Sequence, residues 1–121
     1  MAFIGFLAKF LFDSLDPLEE SSSRYLGHLS RSDGRAACSV MTRTAQVELA
    51  AVYRTEDCPA AIGELLEPLT SDQRGWLEDT DTRFPVAKGR RGYVELGDNP
   101  LGLTQLVLVD VDGTWLITEL K

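Results

Sequence analysis

The stretch that decides the fold is LTQLVLVDVDGTWLITEL, from Leu103 to Leu120. Two runs of β-branched and aliphatic residues flank Asp112-Gly113, which is the strongest short signal for a β-hairpin with a two-residue loop. Because such a loop fixes the register, the sequence predicts four pairs of residues that face each other across the hairpin. These pairs are Val111 with Thr114, Asp110 with Trp115, Leu108 with Ile117, and Leu106 with Glu119.

Both faces of this hairpin are apolar. One face carries Leu108, Trp115 and Ile117, and the other carries Val107, Val109, Leu116 and Leu120. A sheet that is apolar on both sides needs a cover on each side. We expect helices of the same chain to cover the first face, through Leu18, Tyr25, Leu26, Leu29, Leu65 and Leu66. We expect the second face to be an interface with a second copy or another protein.

Composition and charge exclude several classes of function. A chain of 121 residues with 44% apolar and 26% charged residues is typical of one globular domain. A formal net charge of −7 argues against binding to nucleic acid, which needs a basic surface. The single histidine and the absence of CxxC spacing predict no metal site, and no glycine-rich phosphate loop is present. We therefore expect no cofactor.

The first thirteen residues form a separate apolar segment ahead of a domain at 14–121. The run MAFIGFLAKFLF is shorter than the roughly 20 residues that cross a bilayer, and it lacks the basic start and cleavage site of a signal peptide. As a helix it would place Phe3, Phe6 and Phe10 along one side. It could dock on its own domain or on a second copy, contact a membrane interface or a partner through residues 2–12, or be the remainder of a transmembrane segment. These features favour a cytoplasmic or membrane-associated protein over a freely secreted one.

The next part of the chain has helical signals. Asp16 and Pro17 begin a helix as N-cap and first residue, with Glu19 completing a capping-box-like pair, and the helix is predicted to run to about Arg31. Gly34 is suited to the left-handed cap that ends it. Further helices are expected at 35–41, after Thr42, after Cys58-Pro59 and from Ser71. In the helix after Thr42, the spacing places Ala45, Leu49, Val52 and Tyr53 on one side.

From about Thr80 the pattern changes to that of strands. We expect strands at Thr82–Val86 and Arg91–Leu96 before the hairpin, with Pro85 restricting the first to a sheet edge or a bulge. Helices followed by an antiparallel meander define an α+β fold. We therefore predict N-terminal helices packed on a curved antiparallel sheet.

Several stretches together resemble the nuclear-transport-factor-2-like (cone-fold) superfamily, in particular small actinobacterial domains of that fold. The resemblance covers nearly all of the chain after the first thirteen residues and rests on an array of pieces. They are YLGHLSRSDGRAACSVMT, VELAAVY, EDCPAAIGELLEPL, GRRGYVEL and DGTWLITEL. The residues alone leave open whether Cys38 and Cys58 form a disulfide or two buried thiols, whereas the resemblance implies a disulfide.

The resemblance also implies a possible reaction. The same superfamily includes ketosteroid-isomerase-like and polyketide-cyclase-like enzymes, which use an acid–base residue and a hydrogen-bond donor inside the cone. The candidates for such a catalytic pair here are Tyr25 and Asp110. Asp110 also lies beside a tight turn, where aspartate is preferred for local hydrogen bonding, and Tyr25 lies on an apolar stripe typical of a core.

Three hypotheses for function follow. The first is a non-enzymatic accessory or ligand-binding domain that associates through its sheet face and its apolar N-terminal helix, as a homodimer or with a protein partner. The second is a small isomerase, cyclase or dehydratase that uses the cone cavity. The third is a subunit docked in a larger, membrane-associated complex.

Overall fold

Helices come first in the chain and strands follow, as the sequence predicts. The structure, a computed structural model, describes residues 16–121. Over this range there are five α-helices, one 3-10 turn and four strands. They are α1 (Pro17–Ser30), α2 (Gly34–Ser39), α3 (Arg43–Tyr53), α4 (Cys58–Leu66), α5 (Ser71–Trp76), the 3-10 turn (Leu77–Asp79), β1 (Thr82–Lys88), β2 (Arg91–Leu96), β3 (Gln105–Val111) and β4 (Thr114–Leu120). The α+β class is confirmed, with the helices packed on a curved antiparallel sheet.

Helix α1 begins at the predicted cap. The Asp16 carboxylate accepts a hydrogen bond from the Leu18 amide at 2.8 Å, and Pro17 occupies the first helical position. Glu19 accepts a hydrogen bond from the Thr82 hydroxyl of β1 at 3.1 Å. The first turn of α1 is thereby tied to the start of the sheet.

The turn between α1 and α2 differs from the prediction. The left-handed residue is Ser32, with φ of 55°, and Gly34 is instead the first residue of α2, which Asp33 caps. A Cβ on Gly34 would lie 3.0 Å from the Pro59 carbonyl oxygen. Gly34 therefore allows α2 to approach α4 closely.

The four strands form one antiparallel sheet in the order β1-β2-β3-β4. Strand β1 lies at an edge, and Pro85 sits in an irregularity between Arg83 and Val86, as the sequence predicts. The hairpin turns at the predicted place, with Asp112 and Gly113 at φ of 52° and 90°. Positive φ at both positions is the requirement of the type I′ turn.

The predicted hairpin register is correct near the turn and wrong at its far end. Val107 pairs with Glu119, and Leu106 pairs with Leu120 rather than with Glu119. An irregularity near Thr118 adds one residue to β4, and a shift of one residue exchanges the two faces of a strand. Leu120 therefore packs against the core instead of lying on the outer face.

The edge of β4 is anchored just before this bulge. The Ile117 amide donates to the Val40 carbonyl, and the Ile117 carbonyl accepts from the Thr42 amide, both at 2.8 Å. These bonds form a short parallel bridge that joins the segment between α2 and α3 to the sheet. Residues beyond Ile117 are displaced from the simple two-residue-loop register.

The core lies between α1 and the inner face of the sheet. Tyr25 and Leu29 of α1 and Leu106, Leu108 and Ile117 of the hairpin are all fully buried. Gly92 of β2 leaves the space that Leu18 fills, because a Cβ there would overlap the Leu18 methyl groups. The predicted cover of the hairpin by α1 is confirmed, since Leu18, Tyr25, Leu26 and Leu29 share one apolar cluster with Leu106, Leu108 and Ile117 and α1 contacts the sheet. Leu65 and Leu66 also belong to this cluster or pack on it, but their helix, α4, packs mainly on α2 and α3.

Candidate functional site

The face of the sheet opposite α1 is apolar across its middle. The register aligns its side chains in rows that run across all four strands. One row contains Val86, Tyr93, Val107 and Glu119; the next contains Lys88, Arg91, Val109 and Leu116; and Val111 with Thr114 continues it at the hairpin end. We call this set of residues the outer sheet face.

The apolar residues of the outer sheet face differ in exposure. Val86 is 45% exposed and Val111 is 39% exposed, while Val109 and Leu116 are half-buried. Val107 is 1% exposed, so it is not available as a contact residue. Of the four hairpin residues predicted at the interface, the structure therefore leaves Val109 and Leu116 on an accessible apolar surface, and it adds Val86 and Val111.

Charged residues of both signs lie on the same face. Arg91 Nη2 lies 3.7 Å from Glu119 Oε1, and Lys121 Nζ lies 3.6 Å from Glu119 Oε2. By register, Lys88 and Glu95 also point to this side of the sheet. The three cationic and two anionic side chains named here give this face a formal charge of +1, in a chain whose formal net charge is −7. Electrostatic repulsion between two copies is consequently smaller here than over the molecule as a whole.

Tyr25, one of the two candidate catalytic residues, is fully buried in the core. Its hydroxyl donates to the Met41 sulfur at 3.6 Å, and desolvation raises the pKa of this hydroxyl above its ordinary value. The Tyr25 side chain is 0% exposed, so its hydroxyl is shielded from solvent. The placement of Tyr25 is that of a core residue.

Asp110, the other candidate, serves the hairpin turn. Its Oδ1 accepts a hydrogen bond from the Gly113 amide at 2.8 Å, and its carbonyl accepts from the Arg90 guanidinium at 3.0 and 3.2 Å. This is the local bonding for which aspartate is favoured at turns. Tyr25 bonds to Met41 and Asp110 bonds to its own turn, so these contacts do not assemble the two into a shared site.

A disulfide joins Cys38 of α2 to Cys58 at the start of α4, with their Cα atoms 6.1 Å apart. Both cysteines are 4% exposed. The Met41 sulfur lies 3.9 Å from Cys58 Sγ and also receives the Tyr25 hydroxyl. The disulfide therefore belongs to a buried cluster of sulfur atoms beneath α1, where it links two helices.

Helical spacing places Ala45, Leu49, Val52 and Tyr53 on one side of α3, but these residues differ in exposure. Ala45 is the one buried residue of α3, whereas Val52 is 73% exposed and Val47 is 62% exposed. The helical spacing correctly groups residues on one side, but nothing in it states whether another element covers that side. Two exposed valines on one helix are a surface feature that the sequence reading missed.

The remaining predictions concern the N-terminal phenylalanines, a metal site and a membrane-spanning helix. Phe3, Phe6 and Phe10 precede Asp16 and are outside the described residues. Over residues 16–121, no group of three or more His, Cys, Asp or Glu side chains is arranged to bind a metal ion. Over the same range, none of the helices has the length and apolar character needed to span a bilayer.

Comparisons with known proteins add no assignment: no family model, curated protein or solved structure matches the chain.

Proposed function

We propose that this protein is a non-enzymatic association domain, which forms a homodimer through its outer sheet face. The observation that carries the proposal is a set of accessible apolar residues on the side of the sheet that α1 leaves free. Val109, Val111 and Leu116 lie together on β3 and β4, and Val86 lies on β1, two strands away. Apolar groups gathered on one accessible face are typical of protein contacts. A second copy is the partner that this surface fits best.

Charge supports a second copy as the partner. The outer sheet face carries Arg91 and Lys88 beside Glu119 and Glu95, in a chain with a net charge of −7. In a twofold contact each patch meets itself, so a face with both signs can place opposite charges together. A face that carried the average charge of the molecule would repel its own copy.

The size of the face indicates a weak dimer. Four strands of this length cover roughly 20 by 23 Å at the usual strand and residue spacings. This is on the order of 450 Å² per copy, compared with about 800 Å² per partner for a standard stable interface. The expected homodimer is therefore concentration-dependent, with a dissociation constant in the micromolar range or weaker.

Two finer assignments accompany this proposal. The order of elements and the one-sided helical cover of a curved sheet support membership in the nuclear-transport-factor-2-like superfamily. Contact with a membrane or a partner through residues 2–12 stays a prediction from the sequence. The enzymatic alternative has less support, because Tyr25 and Asp110 have separate structural roles.

Analytical ultracentrifugation over a concentration series tests the proposal. Val86→Glu places a charge on an exposed position of the outer sheet face, and we expect it to weaken dimerisation at least tenfold. Val47→Glu adds the same charge at an exposed position of α3, and we expect the wild-type dissociation constant. A wild-type protein that stays monomeric at several hundred micromolar, or an equal effect of the two variants, would contradict the proposed interface.

A further inference from the structure

A groove runs between α3 and the C-terminal end of β4, and it shares only Glu119 with the outer sheet face. Its volume is about 280 Å³. Its lining is mainly apolar and includes one carboxylate from each of the two elements. The lining residues are Met41, Ala45, Glu48, Leu49, Val52, Thr118, Glu119 and Leu120.

Helix α3 forms one wall of this groove, and the exposure of its apolar side chains increases along the groove. Ala45 is buried on α3, Leu49 is half-buried, and Val52 is 73% exposed at the groove. On the opposite wall, the bulge in β4 turns Leu120 towards the core side of the sheet. The groove therefore has the apolar lining of a helix-binding site.

The N-terminal segment of the same chain is apolar, as is most of the groove lining. Its first twelve residues include one charged residue, Lys9, and otherwise consist of apolar residues and glycine. Fifteen residues precede Asp16 and reach up to about 50 Å when extended. The segment leads into the first turn of α1, which is tied to β1. The groove lies beside β4, three strand spacings or roughly 15 Å from β1. The segment is therefore long enough to reach the groove on the same copy.

Charge links the segment to this groove in particular. Glu48 and Glu119 line the groove; Glu119 lies near Arg91 and Lys121, whereas Glu48 has no ion-pair partner among residues 16–121. The segment brings an ammonium group at Lys9 into an otherwise apolar run. We propose that the groove between α3 and β4 binds the chain's own N-terminal segment, with its apolar side against Leu49, Val52 and Leu120 and Lys9 beside Glu48.

A zero-length carbodiimide cross-link on the full-length protein tests the contact directly. We expect peptide mapping to find a Lys9–Glu48 cross-link in the monomeric fraction. The Lys121–Glu119 pair, 3.6 Å apart, is the internal positive control. If that control pair forms and Lys9 is found linked only to carboxylates away from the groove, the proposal fails. A Lys9–Glu48 link found only in dimers assigns the groove to the segment of a second copy and overturns docking within one chain.

Charge reversal provides a second test, with limited chymotrypsin cleavage at the N-terminal phenylalanines as readout. We expect Glu48→Lys and Lys9→Glu each to accelerate cleavage about fivefold, the scale of an exposed ion pair, and the double variant to restore the wild-type rate. Val52→Asp should accelerate cleavage about tenfold, whereas Val47→Asp, which lies off this groove, should leave it unchanged. Thermal melts confirm that each variant is folded.

The outcomes that overturn the proposal are distinct. If the double charge reversal does not restore protection, the Lys9–Glu48 pairing is wrong. If wild type and all variants are cut at the rate of a free peptide, the groove does not hold the segment, and the segment is left for a lipid surface or another protein. Neither outcome affects dimerisation through the outer sheet face, because Val86 and Glu48 lie on different surfaces and are changed separately.

Discussion

The hydroxyl of Tyr25 lies 3.6 Å from the sulfur of Met41, in a part of the core that water does not reach. A thioether is a weak hydrogen-bond acceptor. The phenol is therefore buried with little compensation for its lost hydration. This contact supports a structural role for Tyr25 over a catalytic one.

The Tyr25→Phe variant should stay within about 1 kcal/mol of the wild-type free energy of unfolding, because the change removes a poorly satisfied hydroxyl and keeps the ring. Tyr25→Ala should instead cost about 3–5 kcal/mol through the cavity that it leaves. Urea unfolding of the two variants measures the difference. A loss above about 2 kcal/mol in Tyr25→Phe would mean that the bond to Met41 is stronger than its geometry indicates.

Burial also predicts how stability depends on pH. Desolvation raises the pKa of the Tyr25 hydroxyl in the folded protein above its unfolded value of about 10. The stabilising contribution is therefore fully present below pH 10 and is lost as the pH rises above it, at about 1.4 kcal/mol per pH unit. Unfolding of wild type and Tyr25→Phe between pH 8 and 11 isolates this term, since the variant lacks it. Parallel curves for the two proteins would contradict it.

Asp110 offers a matched pair of variants that separates the turn role from catalysis. Asp110→Asn keeps an oxygen that can accept from the Gly113 amide, so its stability should change by less than about 0.5 kcal/mol. Asp110→Ala removes the acceptor and should cost about 1 kcal/mol. Chemical denaturation measures both. If a reaction is found for this protein, both variants should retain it; a loss of turnover in a stable Asp110→Asn protein would revive the enzymatic hypothesis.

The disulfide should make a large contribution to stability for a protein of this size. Cys38 and Cys58 are 20 residues apart in sequence, and closing a loop of that length stabilises by about 3 kcal/mol. We expect Cys38→Ala/Cys58→Ala to lose this amount in urea unfolding. Thiol titration of the denatured, non-reduced wild type should find no free thiols. Two thiols in protein from its native compartment would mean a reducing environment, where such bonds are rare.

The hairpin turn and the α+β order could be predicted from sequence because their signals are local. Asp112-Gly113 tolerates the positive φ values that the turn needs. Asp16 caps the helix that begins at the next residue, Pro17. The bulge beyond Ile117 has no such signal, since it depends on pairing with the segment around Met41, far away in sequence. For that reason the predicted side of Leu120 was wrong.

The candidate site shows the same limit. The exposure of Val52 on α3 depends on which elements approach that helix, and helical spacing does not contain this information. The residue types of Tyr25 and Asp110 suit an acid–base pair, but the packing of α1 on the sheet determines whether the two residues meet. Residue types and their helical or strand spacing suggest candidate site residues. Whether those residues come together depends on packing between elements that are far apart in sequence.

Phe84 provides a last prediction, on strand β1. It combines φ of 51° with 71% exposure, in the irregular part of the strand before Pro85. Holding a non-glycine residue in the left-handed backbone region destabilises the fold by roughly 1–2 kcal/mol. The Phe84 ring is largely exposed, so its burial offsets little of this cost. Asparagine tolerates that backbone conformation, so Phe84→Asn should raise the free energy of unfolding by about 0.5–1 kcal/mol.

The matched control is Val86→Asn, two residues further along the same strand. Val86 is not among the residues with positive φ, and asparagine is disfavoured in ordinary strands, so this variant should lose about 0.5–1 kcal/mol. Urea unfolding of both variants gives the comparison, and the two changes should have opposite signs. If Phe84→Asn also destabilises, the ring makes contacts that outweigh the backbone strain. Packing of the phenylalanine ring at the bulge would then stabilise the strand more than its backbone conformation destabilises it.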